Sequence, residues 1–85
     1  MNIIIQDNTT YNTKLFNGNN IAYIEFGSDF LKFYFNSYIA PVKFKGYEDD
    51  IAAAAMILKQ ELLHGTTTVD LSAYDLYEVK KEATS

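Results

Sequence analysis

Few side chains in this sequence could take part in covalent or acid–base chemistry. The 85 residues include a single histidine, His64, and no Cys, Arg or Trp, whereas seven Tyr and six Phe are present. Cys and His supply most nucleophiles, general bases and zinc ligands, and Arg is the usual residue for bidentate phosphate recognition. The one remaining enzymatic route is a pair of carboxylates around a substrate. We therefore expect a protein that is not an enzyme and that has no catalytic residue, no metal ligand and no cofactor.

His64 is the one candidate for a general base. It directly precedes Gly65 at the end of a segment with helical periodicity. A histidine at that position also interacts favourably with the free carbonyls and the dipole of a helix C-terminus. Because a catalytic relay would in addition need a nucleophile and an orienting carboxylate, we favour the helix-terminal role.

Three consecutive carboxylates, Glu48, Asp49 and Asp50, could bind a hard cation such as calcium. They lack the spaced oxygen ligands and the glycine of a calcium-binding loop, so we expect no metal site here. Acidic residues are typical of the first turn of a helix, where they complement the positive end of the helix dipole. The same carboxylates could also belong to an acidic contact surface.

Acidic residues are concentrated in the second part of the chain. Residues 1–47 contain four lysines and three carboxylates, whereas residues 48–85 contain three lysines and eight carboxylates, and the net charge of the chain is −4. Such a field repels nucleic acid and attracts basic partners. We therefore predict that a basic protein binds to carboxylates and exposed tyrosines of this part: Glu48, Asp49, Asp50, Asp70, Tyr74, Asp75, Tyr77, Glu78 and Glu82.

The first half of the chain predicts β-strands. Residues 9–16 and 21–26 are rich in β-prone side chains and flank Asn17-Gly18, a strong signal for a β-hairpin. Residues 42–45 follow a proline, which favours an edge strand, and residues 3–5 add a further short strand. The strand predicted between these segments, residues 30–36, places three apolar side chains on one face: Leu31, Phe33 and Phe35.

One helix is predicted over residues 48–64, with Gly65 as its stop signal. Its apolar stripe consists of Ile51, Ala55, Leu58 and Leu62. A strand over residues 66–71 follows, and residues 72–75 resemble a capping box, although we favour a final strand around residues 77–79. Together these elements predict an α+β fold with a single domain over residues 1–85, in which one helix (about 48–64) packs on one face of an antiparallel sheet of four or five strands.

Two other functions stay open. Lysines alternate with aromatic residues in residues 14–16, 30–34 and 42–45, as expected of a sheet face that stacks the bases of single-stranded nucleic acid. The acidic net charge and the absence of Arg make direct nucleic-acid binding the weaker interpretation. The wide apolar surface of the helix could instead mediate self-assembly into a homo-oligomer.

The sequence gives no sign of a membrane protein. No apolar run is long enough to span a bilayer. Residues 1–7 lack the basic region of a signal peptide, so we expect a cytoplasmic location and no membrane partner.

The overall profile resembles the small acidic proteins that phages and other mobile elements encode to block host machinery, such as anti-CRISPR proteins and uracil-DNA glycosylase inhibitors. The shared features are the length, the lack of a catalytic set, the acidic second half and a residue usage typical of an AT-rich genome. The segment Leu62-Leu63-His64-Gly65-Thr66 is similar to the helix end of anti-CRISPR proteins with one helix on a sheet. The resemblance implies stoichiometric binding to a basic host nuclease or repair enzyme, with carboxylates in the place of phosphates.

Overall fold

Seven strands, one α-helix and one short 3₁₀ turn make up the computed structural model, which describes residues 1–65 and 67–79. In chain order these elements are β1 (Asn2–Gln6), β2 (Thr13–Asn17), the 3₁₀ turn (Gly18–Asn20), β3 (Ile21–Phe26), β4 (Phe30–Phe35), β5 (Val42–Gly46), α1 (Glu48–His64), β6 (Thr68–Asp70) and β7 (Leu76–Val79).

Four of the strands form an antiparallel sheet in the order β3-β4-β5-β7, which confirms the predicted α+β fold. Alternation along β4 buries Leu31 and Phe33 completely, while Lys32 and Tyr34 lie on the opposite face. The Phe33 ring meets the ring of Phe44 from β5 edge to face, at 6.0 Å between centroids. These rings form the centre of the hydrophobic core.

The remaining three strands form a second sheet, in the order β2-β1-β6, which the sequence did not predict. β1 pairs antiparallel with β2 and parallel with β6. Ile3 and Ile5 point from β1 into the core formed by the first sheet and the helix. A parallel pair needs a long crossover between its strands, and α1 is part of the connection from β1 to β6.

The hairpin predicted at Asn17-Gly18 is wrong. β2 pairs with β1, and β3 pairs with β4, so the 3₁₀ turn carries the chain from one sheet to the other. The Asn17 side chain accepts a hydrogen bond from the Asn19 amide at 3.0 Å, which stabilises this turn without strand pairing. The turn residues therefore interrupt the chain as expected, but β2 pairs with β1 and not with β3.

The helix begins and ends where the sequence predicts. Its buried residues are Ile51, Ala54, Ala55 and Leu58. Gly65 adopts the left-handed conformation with φ of 68°, and its N–H donates to the Glu61 carbonyl. His64 Nδ1 lies 2.8 Å from the Gln60 carbonyl oxygen, which is the helix-terminal role that we favoured. Within the described residues, no helix has the length and apolar character needed to cross a bilayer.

Candidate functional site

The loop between β1 and β2 is organised around a buried carboxylate, Asp7, which is only 1% exposed. One of its oxygens accepts hydrogen bonds from the Thr9 amide at 2.9 Å and the Thr9 hydroxyl at 2.5 Å. The other accepts the Glu78 amide of β7 at 3.1 Å. Burial raises the pKa of Asp7, but these hydrogen bonds lower it more, so the pKa lies below its ordinary value. Asp7 is therefore a charged group that joins β1, the loop and β7.

Tyr11 is held in an unusual backbone conformation by this loop. Its φ is 61°, in the left-handed region that residues other than glycine rarely adopt, and its amide donates to the Asp7 carbonyl at 2.7 Å. Its side chain is 76% exposed. Strained residues of this kind persist where the surrounding structure fixes them, and they are concentrated at functional sites.

Two adjoining grooves lie beside this loop, each with a volume of about 280–290 Å³. Both are lined by Asn8 and Asp75, and the Asn8 side-chain amide donates to the Asp75 carboxylate. Two tyrosines line each groove around this shared pair. We call this surface the tyrosine surface; it consists of Asn8, Tyr11, Tyr47, Tyr74, Asp75 and Tyr77.

The tyrosines of this surface are well suited to protein contact. Tyr47 is 74% exposed and Tyr77 is 37% exposed, whereas Tyr74 is half-buried and packs against the core. A tyrosine offers an apolar ring and a hydrogen-bonding hydroxyl, and few of its rotamers are lost on binding. Four such side chains around two grooves give a surface with both apolar contact area and polar groups.

Part of the predicted acidic set lies next to this surface. Glu48, Asp49 and Asp50 form the first turn of α1, directly after Tyr47, and Asp75 lies between the grooves. In the described part of the chain, no cluster of three or more His, Cys, Asp or Glu side chains is arranged to hold a metal ion. Glu48, Asp49 and Asp75 are exposed to solvent.

The other predicted acidic residues have local partners or lie elsewhere. Glu78 forms an ion pair with Lys14 at 3.1 Å. Asp70 accepts the Ser72 hydroxyl at 2.6 Å and the Ser72 amide at 2.9 Å, and these bonds lower its pKa. Glu82 lies outside the described residues.

Sequence reasoning missed three residues of this region: Asp7, Asn8 and Tyr11. The run Asp7-Asn8-Thr9-Thr10 has the composition of a turn, and this signal could have moved the start of the predicted strand from residue 9 to residue 13. The hydrogen bond from Glu78 joins residues 71 positions apart, and no local pattern reveals it.

The chain shows no detectable likeness to known proteins. No family model matches it, and neither a curated protein nor a solved structure shows significant similarity to it. Its function therefore has to be inferred from its own side chains.

Proposed function

We propose that this protein is a protein-binding module that contacts a basic partner through the tyrosine surface. The observation that carries the proposal is the pair of grooves that share Asn8 and Asp75 and are lined by four tyrosines. Tyrosine is enriched among the residues that dominate binding energy, most of all where the ring enters a pocket of the partner. The exposed rings of Tyr11 and Tyr47 are the anchors we assign to the interface.

The charge around these anchors favours a partner rich in Lys or Arg. Glu48, Asp49 and Asp50 follow Tyr47 directly, and none of them forms an ion pair in the part of the chain that the structure describes. Complementary charge accelerates association and suppresses wrong partners, and its effect falls with salt. Glu78 contributes less, since Lys14 already balances its charge.

The wider role we propose is that of a stoichiometric inhibitor, of the kind that a phage or mobile element uses against a host protein that handles nucleic acid. Such an inhibitor needs no catalytic group, because it acts by occupying a basic groove. Carboxylates then take the place of phosphates and form charge-assisted hydrogen bonds with Lys or Arg. The acidic second half of the chain, with eight carboxylates and three lysines, supports this role, and its site of action would be the host cytoplasm.

The test is a capture experiment with matched variants. Tagged wild-type protein and the Tyr11→Ala/Tyr47→Ala double variant serve as baits in a nuclease-treated lysate of a low-GC bacterium, washed at about 0.1 M and 0.5 M salt. We expect a basic protein to bind the wild type at low salt, to dissociate at high salt, and to be absent from the double variant. Tyr38→Ala is the control, since Tyr38 is fully exposed and lies outside both grooves. Equal capture by the wild type and the double variant would count against the proposal.

A further inference from the structure

The face of the four-stranded sheet opposite α1 is basic and aromatic. α1 contacts β4 and β5 on the side of Leu31, Phe33 and Phe44, which are fully buried. The strand register places the alternate residues of the four strands together on the other side. We call this side the lysine–aromatic face; it consists of Tyr23, Glu25, Phe30, Lys32, Tyr34, Lys43, Lys45, Tyr77 and Val79.

Two lysines of this face are directly opposite each other. Lys32 of β4 pairs in register with Lys43 of β5, and neither forms an ion pair with any residue that the structure describes. Lys32 lies over the ring of Tyr34, at 5.1 Å from the centroid, and Lys43 lies over the ring of Phe30, at 4.5 Å. Like charges directly opposite each other destabilise a sheet, and an anion bound between them would remove this cost.

A groove of about 570 Å³ is located at these lysines. It is lined by Lys32 and Lys43 together with Pro41, Val42 and Val79 and neighbouring residues. Glu78 also lines it, but this carboxylate is paired with Lys14. Glu25 of β3 is in register with Lys32 but forms no ion pair with it, so the two lysines keep a net positive charge that an anionic ligand complements.

Aromatic rings lie beside this positive groove. Tyr23 and Tyr34 stack with their centroids 4.3 Å apart, and Tyr23 is 58% exposed. The Tyr34 hydroxyl donates a hydrogen bond to the Glu25 carboxylate at 3.0 Å, which fixes the ring of Tyr34. A four-stranded sheet with aromatic rings on its open face can stack two or three unpaired bases while lysines contact the phosphates.

We infer that the lysine–aromatic face binds single-stranded nucleic acid, with Lys32 and Lys43 on the phosphates and Tyr23 as a base-stacking residue. The lysine–aromatic face shares only Tyr77 with the tyrosine surface. The inference uses Lys32, Lys43 and Tyr23 and does not depend on the proposed function. Base stacking distinguishes this ligand from an acidic peptide, which would use the lysines alone. The contacts are to phosphates and ring faces, so binding has little dependence on sequence and strong dependence on salt.

The experiment is fluorescence anisotropy with labelled oligo-dT and oligo-U of about 12 nucleotides, at about 50 mM salt. We expect the wild type to bind both, and Lys32→Gln/Lys43→Gln to weaken binding at least about tenfold with a smaller salt slope. Tyr23→Leu should also weaken binding, because a base loses its stacking partner. The control is Lys59→Gln, compared with the single variant Lys43→Gln: it removes one charge from a lysine that lies over Phe26, outside the groove, and should bind like the wild type.

Several outcomes would overturn the inference. These are no binding at high micromolar protein, equal losses in Lys43→Gln and Lys59→Gln, or equal binding of a duplex and a single strand. A glutamate-rich peptide that binds with the same affinity to wild type and Tyr23→Leu, and competes fully with the oligonucleotide, would identify an acidic peptide as the ligand instead. The Tyr11→Ala/Tyr47→Ala variant should retain oligonucleotide binding, which separates this test from that of the tyrosine surface.

Discussion

The carboxylate of Asp7 accepts the backbone N–H of Glu78 at 3.1 Å, so that one buried side chain joins the end of β1 to the last described strand. Next to this bond, the backbone N–H of Asn8 donates to the Leu76 carbonyl at 2.9 Å. The two sheets are thus connected at the point where the tyrosine surface is formed. The position of Tyr11 and the position of Asp75 therefore depend on the same charged group.

Replacing Asp7 by Asn should destabilise the protein at neutral pH. The carboxylate accepts three hydrogen bonds, and an Asn side chain would turn its NH₂ group towards at least one of the donors. We expect the free energy of unfolding at pH 7 to fall by about 1–3 kcal/mol, measured by urea denaturation. Asp49→Asn removes the same charge from an exposed position and should change the stability much less.

The stability that Asp7 provides should also depend on pH. Its pKa is lower in the folded protein than the value of about 3.9 expected in the unfolded chain. The contribution is therefore present above pH 4 and is lost as the pH falls through the folded pKa. The difference in the free energy of unfolding between wild type and Asp7→Asn should therefore shrink as the pH falls from about 5 to about 2, measured by urea denaturation at each pH. A difference that stays constant over this range would contradict the role of the charged form.

Substitutions of Tyr11 can separate backbone strain from partner contact. Tyr11→Gly relieves the positive φ but adds freedom to the unfolded chain, so we expect the free energy of unfolding to change by less than about 1 kcal/mol. Tyr11→Val places a β-branched residue at the same φ and should be less stable than Tyr11→Gly by about 1–2 kcal/mol. Both variants lack the ring and should lose the partner. Equal stability of the two variants would show that the loop relaxes.

The sequence predicted those parts of the fold that depend on local pattern. The alternation around Leu31 and Phe33, the start of α1 at Glu48 and its stop signal at Gly65 are confirmed, because periodicity and the helix stop signal are local. In β3, by contrast, burial does not follow a strict alternation. An irregularity between Ile21 and Tyr23 leaves Ala22 exposed, which a strict period of two cannot anticipate.

The candidate site was predicted only in part, because it is built by contacts distant in sequence. Tyr74, Asp75 and Tyr77 were selected for their type and charge, and the structure places them in or beside the grooves. Asn8 and Tyr11 belong to the same surface because Asp7 and Asn8 form hydrogen bonds to β7 and to Asp75. Strand pairing decides such neighbours, and the local pattern of a strand of three to six residues does not indicate which other strand it pairs with.

Gly46 should not tolerate a side chain. A Cβ atom at this position would lie 2.7 Å from the Asp75 carbonyl oxygen, and this backbone is held by the pairing of β5 with β7. We expect Gly46→Ala to lower the free energy of unfolding by about 1–3 kcal/mol and to shift the amide resonances of residues 75–77. Gly65→Ala meets no atom within 4 Å and should leave those resonances in place, although its positive φ costs some stability. Wild-type stability of Gly46→Ala would contradict the close approach of the strands.

The opposed lysines on the sheet should make the wild type less stable than a variant with one of them neutral. Lys43→Gln keeps most of the side chain over Phe30 but removes the charge that faces Lys32. We expect its free energy of unfolding to rise by about 0.2–1 kcal/mol at low salt, and the gain to shrink as salt screens the wild type. Lys45→Gln is the matched control, since it removes an ion pair with Asp29 at 3.5 Å and should give no gain.

If Lys43→Gln is instead less stable than the wild type, the ring contact outweighs the repulsion, and the unfavourable charge pair does not supply a driving force for anion binding. If it is more stable, an oligonucleotide should raise the melting temperature of the wild type more than that of the variant, because only the wild type has the repulsion for the ligand to relieve.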